Sequence, residues 1–129
     1  MKVPMYVPGI TDGAFVSQLW MLWQEHRELA IDIMKDEQEL MDVVFTAKRT
    51  GAVMVGGGIS KHHTIWWNQF RDGLDYAVYI TTAPEHDGSL SGARMREAVS
   101  WGKVNTKARY VTVEGDASVL LPLIVAAQL

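Results

Sequence analysis

Cysteine is missing from all 129 residues, which excludes disulfides and thiolate zinc sites. Basic excess is missing too. Lys and Arg total 12 against 15 Asp and Glu, a net charge of −3, so nothing in the balance suggests a nucleic-acid surface. No apolar stretch reaches the length of a bilayer span. The most apolar run, ASVLLPLIVAAQL (117–129), is too short and carries Pro122, so it reads as a buried helix. Prolines in MKVPMYVPG (1–9) break the place where a signal peptide needs its apolar centre. Repeats, low-complexity tracts and linkers are also absent. The expectation is one domain in the cytosol with no membrane or nucleic-acid partner.

What is present alternates. After a turn at Thr11-Asp12-Gly13, FVSQLWMLWQEH (15–26) has apolar residues at helical spacing. LAIDIM (29–34) reads as a short buried parallel strand, and Lys35-Asp36 as a turn. EQELMDVVFTAKRTG (37–51) reads as an amphipathic helix stopped by Gly51. AVMV (52–55) reads as a strand, GGG (56–58) as a loop, and SKHHTIWWNQFRDG (60–73) as a helix opened by Ser60. DYAVYIT (75–81) is a strand, TAPEHDGSLSG (82–92) a polar loop and ARMREAVSWGK (93–103) a short helix. ARYVTVEG (108–115) is a strand, and the last helix starts at Asp116. The alternation predicts an α/β fold with a mostly parallel sheet and helices on both faces. In such sheets ligands sit beyond the carboxyl ends of the strands. GGG, the 82–92 loop and Asp116 all fall there.

Each motif has a plain reading beside the functional one. GGG suits close approach of a ligand to backbone next to a helix N-terminus, or simply a tight turn, because it lacks the GxGxxG pattern. His62 and His63 are neighbours on a helix and face different sides, so no metal site is expected from them. Either could still face the crevice. Asp87 and Gly88 are ordinary turn residues as well as loop candidates. Glu97 and Trp101 share a helix face, which suits an organic cation through charge and cation–π contact, or a solvated acid beside a core indole. Trp20, Trp23, Trp66 and Trp67 read as core filler.

Taken together, TDG (11–13), GGGISKHH (56–63), DYAVYITTAPEHDGSLSGAR (75–94), REAVSWGKV (96–104) and DAS (116–118) resemble deoxyhypusine synthase, with EAVSWGK the most specific segment. The resemblance covers nearly the whole chain but only the C-terminal part of the family's length. It implies a Rossmann-like homotetramer that uses NAD to move the 4-aminobutyl group of spermidine onto one lysine of a translation factor precursor, through an enzyme–lysine imine. The family's N-terminal portion supplies its glycine-rich dinucleotide turn. This chain is therefore expected to be a fragment or one half of a split enzyme, working with a complementary N-terminal chain in a tetrameric or hetero-oligomeric assembly.

Residue by residue, the resemblance makes Lys103 the nucleophile. Imine chemistry needs the neutral amine, which a water-poor indole wall beside cationic ligands favours. It makes His62 a proton shuttle, Glu97 an anchor for an ammonium end and Trp101 the wall along the polyamine stem. Gly88 and Ser89 fall on the polyamine side and Asp87 between the two ligands. Asp12, Gly57, Thr82, Asp116 and Ala117 fall on positions that contact NAD. Leu90 and Ser17 stand where many members carry acids. They motivate an alternative reading as a homospermidine-forming or other aminobutyl transferase. A third reading is a non-catalytic partner of an active paralogue.

Overall fold

A computed structural model describes residues 3–128. The elements run α1 (Ala14–Glu25), α2 (Ile33–Thr46), β1 (Gly51–Val55), α3 (Ile59–Asn68), β2 (Leu74–Thr81), α4 (Met95–Ser100), β3 (Val104–Glu114) and α5 (Ala117–Ala126). The three strands form one parallel sheet in the order β1-β2-β3. Each crossover steps in the same direction, so with one handedness both crossover helices must lie on the same side.

The core confirms that placement. Alternate strand residues share a face, and the register pairs Ala52 with Ala77 and Met54 with Tyr79. Those side chains pack with Ile65 of α3 and with Met95 and Ala98 of α4. On α3 the buried positions are Lys61, Ile65 and Asn68, the i, i+4, i+7 stripe of a helix lying on a sheet. On the opposite sheet face Val53, Val55, Tyr76 and Val111 are exposed, while Ile80 near the strand ends is fully buried.

Two tight joints set the strand starts. Arg71 donates to Thr50 Oγ1 (2.7 Å), the Gly73 carbonyl (3.3 Å) and Asp75 Oδ2 (3.1 Å). Asp75 Oδ2 also accepts from the Thr50 amide at 2.8 Å. These two bonds, the amide first and then the guanidinium, hold the Asp75 carboxyl below its usual value. Gly73 has φ +87°, and a Cβ there would lie 2.6 Å from the backbone of Val104, so only glycine lets β2 begin against β3.

Several expectations are corrected. LAIDIM is no strand: Asp32 accepts from the Lys35 amide at 3.0 Å and caps α2, so Ile33 and Met34 are helical and exposed. A local carboxylate cap outweighs a short apolar run. Lys35-Asp36 is accordingly inside α2 rather than a turn. That helix ends at Thr46, and Gly51 opens β1 instead of stopping it. Helix α3 begins after Gly58, one residue before Ser60, with no side-chain cap. Strand β3 starts at Val104, four residues earlier than read. Helix α5 does start from Asp116 but has no buried residue. The same holds for α1, where Trp20 is 61% exposed. Trp66 is exposed as well, so the tryptophans are not simply core filler.

Candidate functional site

The strands end level, with Val55 opposite Ile80 and Thr81 opposite Glu114. The residues just past them, Gly57, Thr82 and Asp116, therefore come to one rim. Asp116 Oδ1 accepts from the Ser118 amide at 2.7 Å, which holds its carboxyl below the ordinary range. Ala117 is the first residue of α5. Thr82 and Asp116 are exposed at the rim. Asp12 is exposed in the turn before α1, where its amide donates to Gly9 at 3.0 Å.

A second feature lies in the layer of helices and runs from the 88–93 segment at the strand ends toward the start of β3. A cleft of about 240 Å³ is lined by Lys61, Ile65, Leu90, Glu97, Trp101 and Lys103 among others. Lys103 is carried there by the turn from α4 into β3: its amide donates to Ala98 at 2.9 Å, and its carbonyl accepts from Leu74 at 3.1 Å. Its Nζ lies 5.5 Å from the Trp66 ring centroid and 5.6 Å from that of Trp101. Among the described residues this amine makes no hydrogen bond, so its reach into the cleft is open.

Glu97 sits in the first turn of α4, where Oε1 accepts from the Arg94 amide at 3.2 Å. Trp101 follows the last turn, 73% exposed. The i, i+4 relation read from the sequence thus places both in the cleft. His62 is outside it. Its ring stacks 5.6 Å from Trp66 and faces a depression shared with Pro8, Gly9 and Ile59. Trp66 is common to both neighbourhoods, with the His62 ring 5.6 Å and the Lys103 amine 5.5 Å from its ring centroid. His63 points elsewhere, to Glu37 Oε1 and the Trp67 indole N–H, each at 3.3 Å.

The 88–93 segment lies between rim and cleft. Ser89 Oγ donates to Asp87 Oδ2 at 2.8 Å and accepts from the Gly92 amide at 3.2 Å. Gly88, at φ +65°, turns the chain there. Tyr79 and Thr81 of β2 donate to the Ser91 carbonyl at 2.5 and 3.2 Å. From the other side, Gly57 leaves room for Ser91: a Cβ on Gly57 would overlap the Ser91 backbone and side chain. That close approach is to the protein's own loop.

Two residues of this region were missed at the level of sequence. Trp66 had a usable signal, standing four residues after His62 on the same helix. Lys61 had another, as a cation on the apolar stripe of α3. It is 3% exposed, and burial foremost lowers its pKa to about 8, with Glu97 opposing and Arg94 assisting.

A parallel three-stranded sheet with a polar rim at its strand ends and an amine-bearing cleft between its two crossover helices defines a Rossmann-like α/β unit. The family model for deoxyhypusine synthase matches residues 1–128. The chain belongs to that family, whose members are transferases. It is 63% identical over 97% of its length to the "Probable deoxyhypusine synthase" of Thermoplasma acidophilum. It is 58% identical over 99% to the protein of that name from Ignicoccus hospitalis, and 56% identical over 99% to that from Sulfolobus acidocaldarius. The chain spans 40–41% of the length of these relatives.

Proposed function

We propose that this chain carries the lysine-bearing part of an NAD-dependent enzyme that transfers the 4-aminobutyl group of spermidine to one lysine of a translation factor precursor. The observation that carries the reading is the unbonded Lys103 amine between two indoles, with the Glu97 carboxylate in the same cleft. The donor set at the rim fits the ribose part of a dinucleotide, since Asp116 offers an exposed carboxylate and Thr82 a hydroxyl to sugar hydroxyls. In this reading Asp12, Gly57, Thr82, Asp116 and Ala117 hold NAD, which supplies the acceptor for the hydride leaving the amine and its donor at the end.

Glu97 pairs with one ammonium end, and Trp101 covers the methylene stem. Asp87, Gly88 and Ser89 border the amine from the loop. Once the amine carbon is oxidised, the Lys103 Nζ lone pair adds to it. The carbon–nitrogen bond to the leaving 1,3-diaminopropane then breaks, the departing nitrogen takes a proton, and the aminobutyl group stays on Lys103 as an imine. In this reading His62, whose ring packs against Trp66 outside the cleft, exchanges that proton once the amine substrate reaches it. The acceptor lysine adds in its turn and frees Lys103.

The proposed working form includes a complementary N-terminal chain in a larger cytoplasmic assembly. The exposed side chains of Val53, Val55, Tyr76 and Val111 on the second sheet face support a part that covers them. Leu90, lining the cleft where a second acid would balance a polyamine, favours one alternative: a different amine acceptor, as in a homospermidine-forming transferase.

The test is borohydride trapping in the complete assembly with NAD and spermidine. A mass increment on Lys103 that disappears in Lys103→Ala is expected, and an unlabelled Lys103 refutes the reading. Supplying the factor precursor or a small diamine as acceptor separates the two specificities.

A further inference from the structure

Of the two amines that line the cleft, Lys61 is the one already committed to the protein. Its Nζ donates to the Leu90 carbonyl at 2.9 Å and to the Ala93 carbonyl at 2.6 Å. It also lies 3.8 Å from the ring centroid of Tyr79, itself fully buried. Tyr79 in turn holds the carbonyl between those two, Ser91, at 2.5 Å. Three carbonyls in four residues are thus fastened by side chains of α3 and β2. A buried ammonium is retained only when its protons are satisfied. Here two carbonyls and an aromatic face do so. Leu90 and Ala93 are both walls of the cleft that holds Lys103.

We propose that Lys61 is a positioning residue that ties the 90–93 segment to α3 and thereby fixes the wall of the Lys103 cleft against which the amine substrate packs. The second half of this statement rests on the transfer reading above; the first does not. Lys61 touches no reacting atom and works through Leu90 and Ala93. The tie also explains why only one of two neighbouring lysines is open to substrate.

The test compares wild type with Lys61→Met in the complete assembly. Hydrogen exchange at the Gly92 and Ala93 amides, both bonded to the Ser89 carbonyl at 3.0 Å, is expected to speed up at least tenfold. The amides of β1 and β2 should stay as they are. The spermidine concentration for half-maximal trapping on Lys103 should rise about tenfold, with the maximal trapped fraction little changed. Because the chain has no cysteine, Lys61→Cys can be aminoethylated while unfolded and then refolded, restoring an ammonium of lysine length. Recovery of both readouts supports the proposal. Unchanged loop exchange in Lys61→Met overturns it, as does exchange that rises equally across the sheet and is not restored by aminoethylation. If wild type gives no trapping at all, the transfer reading fails, and the tie stands or falls on the exchange data alone.

Discussion

Replacing Lys61 with methionine should change how stability depends on alkaline pH. The Lys61 amine is buried, and burial brings its pKa from the ordinary 10.5 to about 8. Between those values the unfolded chain binds a proton that the folded chain has already lost, so the stability of the wild type rises with pH across that window and levels off above it. At about 1.4 kcal/mol per tenfold step the gap sets a ceiling of roughly 3 kcal/mol. The neutral amine still donates to Leu90 and Ala93, so those contacts persist through the titration. Lys61→Met has no group to titrate there, and its other lysines and tyrosines match the wild type and cancel in the difference. Urea unfolding of both proteins from pH 7 to 10, at constant slope, should therefore show the wild type gaining on the mutant by up to roughly 3 kcal/mol from about pH 8 upward. Parallel stability curves would mean that Lys61 keeps its ordinary affinity for protons, and would refute the account of its burial.

Gly57→Ala should force Ser91 away, costing on the order of 2 kcal/mol in urea unfolding and speeding exchange at Gly92. Ser91→Gly should restore only part of this, because the overlap includes backbone. Asp75→Ala removes the acceptor shared by Thr50 and Arg71 and should cost about 1 kcal/mol at pH 7, allowing for a partly exposed pair. Since the Asp75 carboxyl is held below its usual value, its contribution is present above about pH 4 and lost on acidification. The mutant should thus lose less stability than wild type between pH 7 and pH 3. Trp101→Ala should leave folding within about 0.5 kcal/mol, because the indole is largely exposed, while raising the amine concentration needed to trap Lys103.

What the sequence made legible was mostly local. The order strand, helix, strand over 52–81 reads correctly, although the helix begins one residue before Ser60 and ends at Asn68, with a tighter 3-10 turn over Gln69–Arg71 carrying the chain to Gly73. Glu97 and Trp101 come together as their four-residue spacing requires. LAIDIM was misread because one carboxylate, Asp32, turns an apolar run into a helix start. Helix α5 was misread because apolar composition signals a need for burial without naming the surface that meets it. Gly57 illustrates a different limit. The glycine run allows either a close approach or a plain tight turn, and only three dimensions show that what approaches Gly57 is Ser91. The strand-end position expected from topology is also incomplete, because Lys103 stands at the start of β3 while Asp116 follows its end.

The valines at 53, 55 and 111 and the ring of Tyr76 leave about half of their surface in water on one side of a three-stranded ribbon. Covering them would contribute on the order of 1 kcal/mol each, together a sizeable part of the 5–15 kcal/mol that holds an ordinary domain folded. Melting temperature for this polypeptide is then not a constant of the chain: it should climb with the concentration of whatever shields that ribbon, as mass action requires.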